Sequence, residues 1–232
     1  RDNNGENITN KNTFYGEYTF HYWLWKNKII DKEKNWIGFC QYRKHWISKR
    51  NSQEFNTVSE LNKILVKKID NSNDEFESIL GHEIYVNQFR FSKFIKKNLK
   101  TMLSEPSLIF NKNKRTIKFH FDMMHGKGNL DKAIDYLDKN EQGDFKKFVN
   151  SEVSFNPHNM FICKSYKILD KYYSSLFPWL ERCEKLFGFD LDGYGLKRIY
   201  GFLAERYMSY WFKKYTKFTT LPILFKDVSD LN

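Results

Sequence analysis

Residues 41–46 (QYRKHW) bring cationic and aromatic side chains together at a point where a protein can bind a ligand. They follow residues 36–40, which predict a short buried strand because they are apolar throughout instead of alternating. In open α/β sheets, ligands bind in the crevice beyond the carboxyl ends of strands, and Arg with Lys suits a phosphorylated ligand. Arg43 and Lys44 are therefore candidate phosphate-binding residues. Taken alone, the same residues are also typical of a solvated basic loop.

A second group of candidate residues comprises His120, Asp122 and His125, followed by Lys127 and a predicted helix from Asp131. The two imidazoles and the carboxylate are potential metal ligands, but their spacing matches no standard metal site. The His-Gly-Lys loop offers another chemistry, because a helix start can bind an anionic group through its dipole and backbone N–H groups. Both interpretations remain open from the sequence.

The last predicted helix runs from about Leu196 to Lys214 and has a charged residue inside its apolar stripe. A projection at about 100° per residue places Arg206 within that stripe, where an arginine requires a partner. The same projection puts Arg198 and Glu205 side by side along one edge. Glu205 is thus either the partner of Arg198 in a structural ion pair or a carboxylate facing a cleft.

The elements that must position these residues alternate between helix and strand, which predicts an α/β protein. Aromatic residues at helical spacing predict a helix from Phe14 to Trp25 ahead of the 36–40 strand. Further predicted elements are a helix over 58–69 inside a peripheral insertion at about 50–80, strands at 84–86 and 160–163, a basic aromatic helix over 89–103, a helix over 165–176 and another that starts at Pro178.

Length and composition predict one domain over residues 1–232. No run of eighteen apolar residues and no secretory signal occurs, and the three cysteines form no CxxC pair, so we expect a cytoplasmic protein without disulfides. Because the chain opens with Arg1, we expect a preceding N-terminal segment. The net charge of +11 favours an anionic partner: nucleic acid, an anionic membrane surface or a phosphorylated substrate.

Two alternative functions follow from this charge. Interleaved basic and aromatic residues at 89–100 are typical of single-stranded nucleic-acid binding, which predicts a nucleic-acid-binding protein or a nuclease. The second alternative is a scaffold that binds a membrane surface through Lys213, Lys214, Tyr215 and Lys217.

Several collinear motifs resemble a bacterial glycosyltransferase family of capsular polysaccharide and lipopolysaccharide biosynthesis, catalogued as a domain of unknown function. The family pattern has GDNIS-x-KN, an aromatic helix ending in WKN, CHYRRYF after a strand, an HHGK-like segment, an NMFI strand and a GF-x-x-ER helix. The corresponding segments here are GENITNKN at 5–12, YWLWKN at 22–27, IGFCQYRKHW at 37–46, MHGKGNLDKAIDYL at 124–137, NPHNMFICK at 156–164 and RIYGFLAERYMSYW at 198–211. The resemblance covers nearly the whole chain.

The resemblance implies a GT-A-like (Rossmann-related) mixed sheet flanked by helices, with a C-terminal helix over 195–215 packing on the core and an N-terminal strand ahead of Arg1. It implies transfer of a sugar from a nucleotide sugar, with UDP favoured, to a glycan or lipid-linked glycan. The implied donor-binding residues are Asn7, Lys11, Asn12, Tyr42, Arg43, Lys44, Lys127, Arg198 and Arg206. Sugar or acceptor contacts fall on Asn156, His158 and Asn159. The candidate bases, in order, are Glu205, His125 and Asp122.

The chain departs from the family at two positions of the cationic turn, where Gln41 replaces His and Lys44 replaces the second Arg. No Asp-x-Asp follows the strand, so we predict that Arg43 and Lys44 neutralise the diphosphate without a metal. Asp190 and Asp192 form the alternative site for Mg²⁺ or Mn²⁺. We further expect no specific nucleic-acid partner, and peripheral contact with the anionic inner membrane surface.

Overall fold

The computed structural model describes residues 2–31, 36–48, 57–69, 75–88 and 111–230. The helices are α1 (Asn12–Tyr15), α2 (Tyr18–Lys26), α3 (Val58–Ile64), α4 (Ile117–His125), α5 (Asn129–Ile134), α6 (Lys139–Ser151), α7 (Tyr166–Phe187), α8 (Tyr194–Lys197) and α9 (Ile199–Tyr215). The strands are β1 (Ile37–Gly38), β2 (Lys44–Trp46), β3 (Ser78–Gly81), β4 (Ile84–Tyr85), β5 (Ser154–Phe155), β6 (Phe161–Cys163), β7 (Phe218–Leu221) and β8 (Ile223–Phe225).

Among the described residues, four strands form a mixed sheet in the order β1-β6-β3-β7. Strand β6 is antiparallel to β1 and β3, whereas β3 and β7 run parallel. Further antiparallel pairs join β2 to β8 and β4 to β5. Helices flank the sheet, and an aromatic core joins the two layers, for example where Phe161 of β6 contacts Phe212 of α9. The predicted mixed α/β class is confirmed.

The aromatic segment after residue 12 forms two short helices instead of the continuous helix predicted from Phe14 to Trp25. Gly16 adopts a φ of +61° between α1 and α2, a value that L side chains rarely take. Helix α9 lies close at this point, since a Cβ on Gly201 would be 3.2 Å from the Tyr15 carbonyl oxygen. The prediction of one continuous helix is therefore wrong, because the chain must turn beside α9.

The predicted start of a new helix at Pro178 is also wrong, because α7 continues through this proline. A proline in a helix interior removes one backbone hydrogen bond and costs about 3 kcal/mol. The buried face of α7 continues on both sides of it, and each large buried side chain contributes roughly 1.5–3 kcal/mol. Packing thus outweighs the local preference. The buried side chains of α7 are Leu169, Tyr172, Tyr173, Leu176, Phe177, Trp179, Leu180 and Cys183.

The predicted helix from Leu196 to Lys214 is divided in the structure. Arg198 lies between α8 and α9 with φ −101° and ψ 25°, outside the regular helix. Most of α9 is buried, including both Tyr207 and Arg206. The helical projection therefore predicts the burial of Arg206 correctly. It places Arg198 wrongly, because Arg198 is not part of the same regular helix.

Other boundaries differ by a few residues. Helix α3 ends at Ile64 because Leu65 is extended and pairs with Ile47 in a β-bridge. Helix α5 begins at Asn129, directly after Gly128. The helix predicted over 89–103 lies outside the described residues. Within the described ranges, no helix combines the length and the apolar composition that a bilayer crossing demands.

Candidate functional site

A cleft of about 700 Å³ opens where the β1–β2 turn, the α1–α2 junction and the start of α9 meet. This volume falls in the range of small-molecule sites. The lining residues are Asn12, Gly16, Glu17, Cys40, Gln41, Tyr42, Arg43, Lys44, His158, Asn159, Tyr194, Arg198, Gly201, Phe202, Glu205 and Phe225. The cleft brings together predicted residues from four separate stretches of the chain.

Glu17 is the polar centre of one side of the cleft. Its Oε1 accepts hydrogen bonds from Gln41 Nε2 at 2.9 Å and from Asn159 Nδ2 at 2.8 Å. Its Oε2 lies 3.8 Å from Arg198 Nη2. Glu17 is not among the residues predicted from the sequence, and its one local signal is that it is an acidic residue directly after Gly16 within an otherwise aromatic segment.

The absence of a side chain at position 16 leaves room for the Arg198 guanidinium. A Cβ on Gly16 would overlap Arg198 Nη2, and the positive φ already disfavours any other residue there. The break between α1 and α2 therefore places Glu17 and Arg198 together in the cleft.

The β1–β2 turn contributes Lys44 and Gln41 to the cleft floor. Lys44 Nζ donates to Gln41 Oε1 at 2.8 Å, and Gln41 Nε2 donates to the His158 carbonyl at 2.6 Å. Burial lowers the pKa of Lys44, while the charges of Glu17 and Glu205 oppose that shift. The amide at position 41 thus links the cationic turn to the loop before β6.

Arg43 and Tyr42 lie at the exposed rim. The Arg43 guanidinium stacks over the Tyr42 ring at 4.6 Å and over the Phe225 ring at 5.7 Å, and its Nε is 3.9 Å from an Asp227 carboxylate oxygen. Cation–π contacts at exposed positions are weak, about 0.5–1 kcal/mol. An anionic ligand can therefore draw Arg43 inward at little cost.

Glu205 is fixed by two donors on opposite sides. The His158 backbone N–H donates to Oε1 at 2.6 Å, and Arg206 pairs with Oε2. Arg206 is buried at 2% exposure, with its guanidinium 4.3 Å from the Phe155 ring centre and its Nη2 3.3 Å from His120 Nδ1. Burial lowers the pKa of Arg206, and Glu205 opposes this shift. The partner that a buried arginine requires is therefore Glu205.

The loop between β5 and β6 has an unusual backbone where it contacts both carboxylates. His158 and Asn159 have φ values of +78° and +53°. Positive φ is uncommon for any residue other than glycine, although Asn and His adopt it more often than most. Such conformations cluster at functional sites, where surrounding contacts maintain them. Here they direct the His158 N–H toward Glu205 and the Asn159 amide toward Glu17.

His158 is uncharged near neutral pH. Burial, together with the charge of Lys44, lowers the pKa of His158 to about 4. The imidazole adds no positive charge to the cleft under those conditions. The positive charge of the cleft therefore comes from Arg43, Lys44 and Arg198.

Several predicted donor-binding residues make structural contacts. Asn12 lines the cleft, but its amide donates to the Gly16 carbonyl at 3.1 Å and to the Thr19 hydroxyl at 3.0 Å. Lys11 forms an ion pair with Glu184 at 2.8 Å. Asn7 and Lys127, like Lys11, lie outside the cleft lining. Asn7 donates to the Gly5 carbonyl, and Lys127 is exposed after α4.

The alternative bases also lie outside the cleft lining. His125 is buried, its Nδ1 donates to the Gly195 carbonyl at 2.9 Å, and burial lowers the pKa of His125 to about 2. Asp122 forms an ion pair with Lys118 and accepts from the Gly128 N–H. The Asn156 amide is buried in hydrogen bonds with Ser209 and with the Gly81 carbonyl.

Asp190 and Asp192 are exposed in the loop before α8 and do not line the cleft. Within the described ranges, no three His, Cys, Asp or Glu side chains are grouped so that they could hold a metal ion.

A mixed sheet flanked by helices, with a cationic cleft that contains a fixed carboxylate, defines an α/β protein with a polar small-molecule site. The fold is that of the apo structure of WbbM, a bifunctional glycosyltransferase, with a TM-score of 0.73 and 22% sequence identity. The similarity covers 97% of this chain and 39% of the WbbM chain, so the sequence spans about two fifths of the length of that chain. Residues 1–217 match the family named Domain of unknown function (DUF4422), and the chain belongs to that family. No curated protein matches it.

Proposed function

We propose that residues 1–232 form a single glycosyltransferase domain that moves a sugar from a nucleoside-diphosphate sugar to a growing capsular or lipopolysaccharide glycan. A UDP-sugar is the favoured donor. The observation that carries the proposal is that Arg43, Lys44 and Arg198 line the same cleft as the fixed carboxylate of Glu205. The fold shared with WbbM, described as a bifunctional glycosyltransferase, supports it.

The cationic side chains account for donor binding and for departure of the leaving group. Guanidinium and ammonium groups neutralise the charge that develops on a diphosphate as the bond to the sugar breaks. Lys44 is held in the cleft floor by Gln41, whereas Arg43 is free to swing from Tyr42 toward the phosphates. Arg198 supplies the third cation beside Glu17.

Glu205 is the proposed catalytic base. It takes the proton of the acceptor hydroxyl as that oxygen bonds to the anomeric carbon and the bond from that carbon to the diphosphate breaks, its electron pair leaving with the nucleotide. A base must be held within hydrogen-bond reach of the proton that it removes. The His158 N–H and the buried Arg206 fix the carboxylate for that task, so Arg206 is a positioning residue.

We assign no step to a metal, because Asp190 and Asp192 lie outside the cleft lining. Charge neutralisation by Arg43 and Lys44 predicts that transfer persists in excess EDTA. Loss of transfer in EDTA, with recovery on adding Mg²⁺ or Mn²⁺, would contradict this assignment.

We propose a cytoplasmic enzyme that contacts the anionic inner membrane surface when its acceptor is lipid-linked. Within the described residues, the lysines of the alternative membrane scaffold already form ion pairs. Lys213 pairs with Glu83, Lys214 with Glu141 and Asp144, and Lys217 with Glu75. These pairs favour the enzyme over the scaffold.

Thermal-shift screening against UDP-, GDP- and CDP-sugars tests the proposed function. A ligand that binds only the folded state at a hundred times its Kd adds about 2.7 kcal/mol, which raises the Tm of a protein of this size by roughly 5–10 °C. We expect the largest shift with a UDP-sugar and a reduced shift in Arg43→Ala. No shift with any nucleotide sugar, together with salt-dependent binding of single-stranded DNA or RNA, would favour the nucleic-acid alternative.

A further inference from the structure

A second cavity of about 270 Å³, called here the side cavity, adjoins the cleft. His158 and Phe225 line both spaces, so these two residues lie between the cleft and the side cavity. The remaining residues of the side cavity are Ile47, His82, Glu83, Ile84, Pro157, Pro222, Ile223 and Leu224. Nothing in the proposed donor site uses this cavity.

Within the described part of the chain, the side cavity lacks the cationic lining of the cleft. Arg43, Lys44 and Arg198 line the cleft, whereas Glu83 is the one residue with a permanent charge among the described residues that line the side cavity. A carboxylate accepts hydrogen bonds from hydroxyl groups, and no lysine or arginine among the described lining residues is available to bind a phosphate. The side cavity therefore selects for a neutral, hydroxyl-rich ligand.

Glu83 is held in place for such a contact. Its Oε1 pairs with Lys213 and its Oε2 accepts from the Ser154 hydroxyl at 3.0 Å. Burial opposes ionisation, but the hydrogen bond and charge of Lys213 outweigh it and lower the pKa of Glu83. Each carboxylate oxygen has more than one acceptor site, so both can take a further hydroxyl.

The side cavity also offers an apolar surface. The Phe225 ring is 62% exposed at the boundary between the two spaces, and Pro157 and Pro222 also line the side cavity. Ligand pockets are lined mainly by apolar and aromatic side chains together with a few placed polar groups. A sugar presents hydroxyls at its edge and C–H groups on its face. The hydroxyls suit the Glu83 carboxylate, and the C–H face suits the Phe225 ring.

We propose that the side cavity binds the terminal sugar of a neutral glycan acceptor and directs one of its hydroxyls past His158 to Glu205. The inference rests on the proposed function. The His158 N–H already contacts Glu205 at 2.6 Å, so the residue that divides the two spaces also positions the base. The acceptor thus enters from the side cavity, and the donor occupies the cationic cleft.

Binding of simple sugars tests this inference without requiring turnover. The probes are methyl glycosides of glucose, galactose and mannose and their 6-phosphates, measured by saturation-transfer NMR on the full chain. In the presence of excess UDP, which competes for the cationic cleft, we expect saturation transfer to at least one neutral glycoside and none to the 6-phosphates. The signal should fall about tenfold in Glu83→Gln and in Phe225→Ala, because each removes one of the two recognition elements.

Glu75→Gln is the matched control, since Glu75 is also an acid paired with a lysine but lies outside both spaces. It should leave glycoside binding unchanged. Equal loss in all three variants, tighter binding of the 6-phosphates than of the neutral glycosides in the presence of UDP, or absence of any glycoside signal would overturn the inference. The thermal shift with nucleotide sugars is recorded on the same samples. In the wild type, a donor shift without glycoside binding contradicts the acceptor site alone, whereas absence of any donor shift contradicts the proposed function.

Discussion

On the α9 side of the cleft, Glu205 is held by the His158 N–H and by an arginine of which 2% of the side chain is exposed. On the turn side, Arg43 is 45% exposed and rests on the Tyr42 ring and near Asp227. Both regions carry charge into the same space, but one is fixed by buried partners and the other is free to reorient. The difference separates two tasks: a base requires a defined position, whereas phosphate binding requires side chains that can follow the ligand.

Glu205→Gln tests the fixed side and should have the largest effect. Gln keeps an oxygen that can accept from the His158 N–H but is a much weaker base, so we expect kcat to fall about 10²- to 10⁴-fold with little change in the donor KM. The measurement is steady-state transfer kinetics. Glu184→Gln is the matched control, because that acid pairs with Lys11 outside the cleft. Unchanged turnover in Glu205→Gln would exclude it as the base.

Arg206→Met tests whether the fixed side depends on a buried charge. Removing one partner leaves Glu205 without its cation, and breaking such a pair typically costs about 3–5 kcal/mol of unfolding free energy. Urea denaturation measures this loss. Arg43→Met on the exposed side should change the same quantity by no more than about 0.5 kcal/mol. Equal losses in the two variants would remove the distinction between the two sides.

The histidine behind α9 predicts an acid sensitivity of the fixed side. His125 is 3% exposed, stacks on Phe202 with ring centres 4.0 Å apart, and has a pKa lowered by burial to about 2. Its ordinary pKa is about 6.5, so below that pH the unfolded chain binds a proton that the folded chain does not. Stability from this group is therefore complete above pH 6.5 and declines as the pH falls.

Between pH 6.5 and 5, this linkage should remove about 2 kcal/mol of unfolding free energy from the wild type. His125→Gln, which cannot titrate, should lack that part of the decline even if it starts from a lower stability. Urea denaturation at the two pH values measures both slopes. Parallel slopes for the two proteins would show that His125 does not titrate as its burial requires.

Arg43→Ala and Lys44→Ala test the turn side and should have the smallest effects. Each removes one charge-assisted contact to a diphosphate whose charge grows as the bond to the sugar breaks, so we expect about a tenfold rise in the donor KM and a fall in kcat of similar size. Lys139→Ala removes an exposed cation outside the cleft and should leave the donor KM unchanged. A rise in KM that matches that of Lys139→Ala would mean that the cationic turn does not bind the donor.

The sequence predicts the parts of the cleft that depend on local pattern. The turn with Arg43 and Lys44 follows an apolar strand, and Arg206 stands out within the stripe of α9 because its neighbours there are apolar. Both observations use only residues close together in the chain. The mixed α/β class follows in the same way from alternating elements.

The sequence does not predict Glu17, because its partners lie at positions 41, 159 and 198 and meet it only in the folded chain. The pairing of Arg198 with Glu205 fails for a related reason. A projection assumes an unbroken helix, but Arg198 precedes α9 and turns toward Glu17. The contacts of both Glu17 and Arg198 depend on long-range packing, which a periodic sequence pattern does not predict.

The glycine at position 16 limits how this protein can be engineered. Replacing a mid-helix glycine by alanine usually strengthens a helix by roughly 0.5–1 kcal/mol, and the aromatic segment around Gly16 would attract that change. Here the added methyl group would displace the Arg198 guanidinium and force the backbone from its φ of +61°. A variant library selected for thermal stability would therefore exclude alanine at position 16 because of the backbone strain. A library selected for turnover would exclude it because the Arg198 side chain would be displaced from the cleft.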